Sequence, residues 1–430
     1  MGFVTDYGGS LQNLSNITYD LDRSSTLELK SLLSQSNKLT FWYQVNPCER
    51  ISLSGQVGWL FRYLNSSINY QYDFYEDFSD VKPLELLRAL EVFRLDFELI
   101  SPLKRWRAIS FKAGRWPVEG GTNYILRGTL DGLDIHFRGT DSSFRAGIWY
   151  NGFIDKTSSS ILLTRADKNS FLDHEKIFAS PRFLEYCEFR YRTTACREYL
   201  LFSAAQLGIY RDERIFELGG GRYSSGYLGG GMNGSVTPVF FYSILAALNG
   251  GLYTWPDSEV KVFQLSRMVE AGFRYFPGGA FLPEVKLDFL YTSGDDWDRA
   301  DWEGSSFSDT TSVTSLFMPL TGEPLGSVFQ PKPGNITLGK IECSFKPFHN
   351  FQLAFVNTLF YRSVVGPISV DTIAYSKECY LGDEILLYIK YRPCSDLGLS
   401  MTSGLFFPNE ALVSSSGMVF RANFYLSLVF

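Results

Sequence analysis

Hydrophobic residues occupy every second position at the end of the chain, with Arg421, Asn423 and Ser427 between them. The apolar set consists of Phe420, Ala422, Phe424, Leu426, Leu428 and Phe430. A period of two is that of a β-strand with one apolar and one polar face. A final strand of this kind, ending in Phe, is typical of bacterial outer-membrane β-barrels. The C-terminal strand of a soluble β-sandwich is the alternative.

The same alternation recurs along the chain, and the connectors between its segments alternate in length. Short turns such as NPCER and KPFHN separate neighbouring strands. The long polar connectors are 76–87, 116–128, 154–180, 294–335 and 363–382. Short turns on one rim and long loops on the other are the pattern of a membrane barrel. The sequence therefore predicts an all-β fold, a transmembrane antiparallel β-barrel of about 18 strands (with 16 as the alternative), forming a single domain over residues 1–430.

Composition is compatible with this prediction. Aromatic residues make up 16% of the chain and charged residues 20%, with a mean hydropathy of −0.06. No window approaches the apolar run that a spanning helix needs, whereas aromatic girdles are usual on barrels. The net charge of −6 argues against a nucleic-acid partner. The start, MGFVTDYGGSLQ, lacks a secretory signal, so for an exported protein we expect a mature or trimmed N-terminus.

If the apolar parity faces lipid, the opposite parity lines the lumen. Its cations are Arg62, Arg94, Lys112, Arg138, Arg145, Arg190, Arg192, Arg274, Lys286, Lys340, Lys346, Lys390, Arg392 and Arg421. Its acidic residues are fewer: Asp96, Glu98, Asp134, Glu188, Glu270, Glu284, Asp288, Glu342 and Glu384. Rings of Arg and Lys favour anions, so we expect a water-filled channel with an anion-preferring constriction. Alternatively, these charges neutralise one another in cross-strand ladders, as RLDFE (94–98) and KLD (286–288) suggest.

A barrel of this size encloses more space than its own side chains fill, so the lumen holds water or an infolded segment. The candidates for infolding are 116–128 and 294–335. The Gly-rich stretch 217–235 lacks the context of a phosphate loop, and strand kinks or an infolded loop explain it better. The acidic cluster after Gly294 misses the calcium-loop spacing, and none of the six cysteines forms a CxxC pair. We expect no metal or cofactor, and disulfides among the cysteines stay an open alternative without an assigned pairing.

Three strings resemble the alginate-export-type porins, a branch related to the OprD-like outer-membrane channels. They are FKAGRWPVEGGTNYILRGTLDGLDIHF (111–137), YTSGDDWD (291–298) and LGDEILLYIKYRPCSDLGLSMTSGLFFPNEAL (381–412). The positions that match the family are Gly114, Arg115, Arg127, Asp131 and Gly132. The chain departs from the family in having Trp116 where Gln commonly follows Gly-Arg.

The resemblance implies a monomeric barrel of eighteen strands whose Arg-rich lumen passes acidic polysaccharide or small carboxylates. It also implies that Arg115, Arg127 and Asp131 join the pore-lining set. The expected function is thus passive diffusion of small carboxylates or acidic saccharides across the outer membrane of a diderm bacterium. The expected partners are the lipid bilayer, these solutes and the barrel-insertion machinery, which would recognise the strand ending in Phe430.

Two other function classes remain open. A closed barrel could act as an adhesin or structural protein through its long loops. An outer-membrane hydrolase would need a His paired with a nucleophile or an acid, but no Ser is locally paired with His136, His174 or His349. The sequence therefore predicts a protein without enzymatic activity. It names neither the solute nor the direction of transport.

Overall fold

The structure, a computed structural model, describes most of the chain. The described residues are 4–21, 30–48, 50–66, 87–100, 106–156, 159, 161, 167, 176–193, 197–209, 222–254, 261–295, 311–321, 324–366, 368, 378–409 and 417–430. Within these ranges no helix is long and apolar enough to cross a membrane.

Nineteen strands are found in the described part of the chain, and they form one sheet. The strands are β1 Val4–Leu21, β2 Lys30–Cys48, β3 Ile51–Ser66, β4 Leu87–Ile100, β5 Ala108–Gly120, β6 Leu126–Arg138, β7 Ser142–Tyr150, β8 Arg182–Arg192, β9 Arg197–Gly208, β10 Arg222–Thr237, β11 Phe240–Thr254, β12 Lys261–Tyr275, β13 Glu284–Thr292, β14 Thr311–Thr314, β15 Ile336–Phe348, β16 Phe351–Arg362, β17 Tyr380–Tyr391, β18 Leu397–Pro408 and β19 Met418–Val429.

The sheet closes on itself. β1 pairs antiparallel with β19, from Ser10 opposite Val429 to Leu21 opposite Met418. The N–H of Gly9 donates to the carbonyl oxygen of Phe430 at 2.7 Å, and the N–H of Phe430 returns a bond of 3.0 Å to Gly9. The predicted closed antiparallel barrel of eighteen strands is confirmed. The additional strand, β14, is short and pairs in parallel with the first four residues of β12.

The two faces of each strand differ as the alternation predicts. On β11, Ile244 and Leu248 are exposed, whereas Leu245 and Asn249, which directly follow them, are buried. On β12, Phe263 and Leu265 are exposed in the same way. Exposed apolar side chains all round a closed sheet indicate that the outside meets lipid and the inside meets the lumen.

One expectation about connectors is corrected, and of the two explanations for the Gly-rich stretch the structure favours the strand. Residues 116–128, predicted as a long loop, belong mostly to β5 and β6, so only 121–125 connect these strands. The Gly-rich stretch is, from Arg222 onwards, the wall strand β10 and not an infolded loop. Glycine is required there because a Cβ at Gly229 would lie 2.3 Å from the ring of Phe202.

Candidate functional site: the lumen and the segments that cross it

The end of the β5–β6 hairpin, residues 116–130, bends into the lumen. The pairing of β5 with β4 ends at Arg115, and the pairing of β6 with β7 ends at Asp131. Beyond these points the hairpin reaches β12, where the hydroxyl of Thr122 donates to Glu270 Oε2 at 2.8 Å. Because β12 lies well round the barrel from β6, the hairpin must pass through the interior to make this contact.

Glycines and an ion pair form the base of this hairpin. Gly114 has a φ of +118°, and a Cβ there would lie 2.0 Å from the carbonyl oxygen of Phe93. It pairs directly with Gly132, where a Cβ would be equally crowded, at 2.1 Å from the carbonyl oxygen of Ile148. Next to this glycine pair, Arg115 binds Asp131. The sequence motif Gly-Arg…Asp-Gly is thus the place where two strands leave the wall together.

The face of the hairpin turned to the wall is apolar. Trp116, Val118 and Leu126 are buried in one cluster with wall residues of the neighbouring strands. At the tip, Gly120 and Gly121 lie against the rings of Tyr186 and Phe202, which a Cβ would approach to 2.6 and 2.9 Å. Burial of this face against the inner wall holds the hairpin in place.

A second stretch, described over residues 315–321 and 324–335, crosses the lumen from the other side, and we term it the crossing segment. Its carbonyl oxygens at Leu316 and Met318 accept hydrogen bonds from Gln264 of β12 and Tyr227 of β10. The N–H of Leu320 then donates to the carbonyl oxygen of Ile125 at 3.0 Å, so the crossing segment also touches the tip of the hairpin.

The crossing segment is anchored again on the far wall by Glu384 of β17. Its carboxylate accepts the N–H groups of Ser327, Val328 and Phe329 at 3.1, 2.6 and 2.9 Å. The ring of Phe329 stacks on Phe406 with centroids 4.5 Å apart. Three backbone donors on one carboxylate are a strong clamp, because hydrogen bonds to a charged group exceed those between neutral groups.

A cavity of about 460 Å³ lies beside the point where the hairpin and the crossing segment meet. The hairpin contributes Thr122, Asn123 and Arg127, and the crossing segment contributes Pro324 and Leu325. The wall contributes Arg190, Leu200, Asn233, Ser243 and Glu270, among others. Charged and neutral polar groups face apolar ones across this space, which suits a small amphipathic solute.

Many charges of the lumen are paired, as the alternative interpretation of the sequence expected. The cross-strand or same-strand pairs are Arg94–Asp96, Arg138–Glu98, Arg145–Asp134, Arg190–Glu188, Arg190–Glu198, Arg192–Glu198, Lys286–Glu284 and Lys286–Glu342. Arg145 also donates to the carbonyl oxygen of Glu119 at 2.6 Å and lies over the ring of Tyr186. Arg145 of β7 therefore holds the hairpin against the inner wall.

The candidate pore residues fall into three groups. Strand parity turns ten of them inward: Arg94, Lys112, Arg138, Arg145, Arg190, Arg192, Arg274, Lys340, Lys390 and Arg421. Of the three that the resemblance implied, Arg127 lines the cavity, whereas Arg115 and Asp131 bind each other at the base of the hairpin. Arg392 lies in a short turn after β17, and the side chain of Arg62 lies outside the described residues.

Sequence reasoning missed the roles of several residues. Thr122 and the carbonyl oxygens of the crossing segment carry no chemical signature in a sequence. Glu270 and Glu384 were recognised as lumen carboxylates, but nothing local indicated that they bind infolded chain. A Thr two residues from a glycine pair (GGT, 120–122) is at most a weak turn signal.

The fold is shared with solved structures. No family model matches the sequence, and neither does any curated protein. The structure of OccK9 (OpdG) from Pseudomonas aeruginosa is similar with a TM-score of 0.59 and 11% sequence identity, covering 99% of both chains. OpdK from Pseudomonas aeruginosa, solved with vanillate, gives 0.57 and 10%, again over 99% of both chains. OccAB3 from Acinetobacter baumannii gives 0.57 and 10%, over 99% of this chain and 100% of that one.

These neighbours are outer-membrane porins of the OprD/Occ type. At such low identity the likeness shows the fold alone. It supports the OprD-like part of the resemblance seen in the sequence, but it does not support the alginate-export-type branch.

Proposed function

We propose that the protein is a channel of the outer membrane of a diderm bacterium for passive diffusion of small solutes, with a preference for anions. The closed barrel, its apolar exterior and its similarity in fold to solved outer-membrane channels support this proposal. The solute class we favour is small carboxylates or acidic saccharides. Vanillate, present in the OpdK structure, is a small carboxylate and a reasonable first solute to test.

The anion preference rests on lumen cations that form no close ion pair with a carboxylate. Within the described residues, no ion pair involves Lys112, Arg274, Lys340 or Lys390, all on the inward face. Most carboxylates of the inner wall are instead held in ion pairs, as Asp134 is by Arg145 and Glu342 by Lys286. Positive charge that faces the lumen and is not held in an ion pair attracts anions and repels cations.

The test is single-channel recording of the refolded protein in a planar bilayer under a KCl gradient. We expect discrete steps and a reversal potential that reports preferential chloride permeation. Addition of vanillate should reduce the chloride current if carboxylates enter the same passage. A cation-selective reversal potential would contradict the anion preference while leaving the channel itself in place.

A second candidate function is a closed barrel that acts through its outer loops. The apolar cluster that the hairpin and the crossing segment bury inside the lumen favours this possibility, since it obstructs part of the passage. Folded protein that gives no steps in the bilayer would support it and would overturn the channel proposal.

Recognition of the final strand by the insertion machinery is part of the same proposal. The ring of Phe430 is 61% exposed at the rim of the closing seam, where such machinery could bind it. We propose no catalytic role. His136 lies on the lumen face of β6 between Asp134 and Arg138, and these neighbours are engaged by Arg145 and Glu98.

A further inference from the structure

Four polar side chains interrupt the lipid-facing surface of β1 and β2. Asn13 lies directly opposite Asn37, and Ser15 lies directly opposite Gln35. They share the parity of Leu11 and Phe41, which are exposed on the outside of the barrel. We term this group, Asn13, Ser15, Gln35 and Asn37, the β1–β2 polar patch.

Apolar residues surround the β1–β2 polar patch. On the β19 side, Leu426 and Phe424 are the register partners of Asn13 and Ser15, and both are exposed. On the β3 side, the exposed Phe61 is the partner of Asn37. Leu11 and Ile17 precede and follow the patch along β1. The patch is therefore an island and not the edge of a polar loop region.

The depth of the patch follows from the aromatic residues below it. Tyr7 and Tyr43 are register partners and are 81% and 47% exposed, as expected of the girdle at one membrane interface. Asn13 follows Tyr7 by six residues, which on a strand tilted as in barrels corresponds to a height of roughly 15 Å. Since the apolar band of such barrels is about 25 Å tall, the patch lies near its middle.

The hydrogen-bonding capacity of the patch is only partly used. Asn13 Nδ2 donates to Asn37 Oδ1 at 2.6 Å, and the hydroxyl of Ser15 donates to Asn13 Oδ1 at 3.2 Å. Gln35 is exposed and, within the described part of the chain, makes no side-chain hydrogen bond. A carboxamide offers two donors and an acceptor with two lone pairs, and acyl chains can satisfy none of them.

We propose, in place of the monomeric barrel that the resemblance implies, that the β1–β2 polar patch is the contact surface between two copies of this chain, related by a two-fold axis in the membrane. Carboxamides are donors and acceptors at once, so two identical patches satisfy each other, as an isologous contact requires. The patch carries no charge that could form an ion pair with a charged partner, and lipid headgroups lie too far away at the interfaces. Polar contacts of this type hold membrane segments together. The apolar rim around the patch packs in the same contact.

The first test is disulfide cross-linking in a lipid bilayer. Asn37→Cys is made in a background in which all six native cysteines are replaced by Ser, and its control is Leu248→Cys. Leu248 is 58% exposed on β11, about half-way round the barrel. We expect a disulfide-linked dimer from Asn37→Cys and none from Leu248→Cys. Equal cross-linking at both positions, or none at either, would overturn the proposal.

The second test removes the polar groups without disturbing a lipid-facing wall. The triple variant Asn13→Leu, Gln35→Leu, Asn37→Leu should fold at least as well as the wild type and should conduct as it does. We expect the dimer, measured by native mass spectrometry from lipid nanodiscs, to dissociate about tenfold more readily than the wild-type dimer. A wild type that is monomeric in these nanodiscs, or a variant that dimerises equally well, refutes the contact. A partner of different mass recovered with the wild type refutes it too.

Discussion

Arg115 and Asp131 form a bidentate ion pair at the base of the infolded hairpin. Arg115 Nε lies 2.8 Å from Asp131 Oδ1 and Nη2 lies 2.7 Å from Oδ2. Nη2 also donates to the carbonyl oxygen of Phe153 at 2.7 Å. The pair therefore connects β5, β6 and the connector after β7 at the point where the hairpin leaves the wall. It positions the hairpin from its base and does not line the cavity.

Replacing Asp131 with Asn should loosen the hairpin. The two side chains are only 16% and 21% exposed, so loss of the charge leaves Arg115 poorly compensated at a cost of roughly 2 kcal/mol. We expect a larger and noisier single-channel conductance than that of the wild type. The matched control is Glu119→Gln, which removes the exposed partner of Arg127 on the same hairpin. Unchanged conductance in both variants would show that the base ion pair does not hold the hairpin.

Replacing Glu384 with Ala should release the crossing segment from the far wall. Three N–H groups lose their acceptor, which we expect to cost on the order of 3 kcal/mol of local stability. The conductance should rise, and the chain around Phe329 should exchange its amide hydrogens faster. Asp383→Ala is the control, because this neighbour points to the other face of β17 and contacts Tyr380. Slow exchange at Ser327–Phe329 in the Glu384→Ala variant would count against the clamp.

Replacing the unpaired lumen cations should alter selectivity. The triple variant Lys112→Gln, Lys340→Gln, Lys390→Gln removes three positive charges that face the passage. We expect the reversal potential in a KCl gradient to move toward cation preference, and the shift to shrink at high salt because of screening. Lys261→Gln, on the outward parity of β12, removes a cation outside the lumen and should leave the potential unchanged. An equal shift in this control would mean that general surface charge and not the lumen sets the selectivity.

Replacing Gly114 with Ala should impair barrel assembly. At a φ of +118° an L-residue is strained by about 1–3 kcal/mol, and the added Cβ also collides with the carbonyl of Phe93. We expect a lower urea midpoint of unfolding in detergent and less heat-modifiable barrel on a gel. Gly339→Ala, on β15, is the matched control because a Cβ there meets nothing within 4 Å. Similar midpoints for the two variants would disprove the special role of Gly114.

The barrel could be predicted from the sequence because the alternation of apolar and polar residues is a pattern between near neighbours in the chain. Every second residue of a lipid-facing strand must be apolar, so the spacing of the apolar residues from Phe420 to Leu428 is enough to predict a barrel strand. The path of infolded chain follows no such rule. The bonds from Thr122 to Glu270 and from Phe329 to Glu384 join residues more than fifty positions apart, and both carboxylates have the same appearance in the sequence as any lumen acid.

The extended strands of the hairpin could not be predicted from the sequence. The sequence makes its residues a candidate for infolding, but it places Trp116, Val118 and Leu126 in the long connector 116–128 and not in strands. In the structure these apolar side chains bury against the wall and keep the strands extended. Tertiary packing outweighed the turn propensity of the sequence.

The parallel strand β14 couples the width of the passage to the hydrogen bonding of the barrel wall. β13 ends at Thr292, and the first four residues of β12 find their partner in Thr311–Thr314, at the start of the chain that then crosses the interior. A deletion in this segment that widened the passage would remove the partner of the first residues of β12. The backbone N–H and C=O groups of β12 would then face lipid without hydrogen bonds. Sequence changes that enlarge the bore here therefore also risk a lateral leak, which restricts how far this barrel can diversify in size selection.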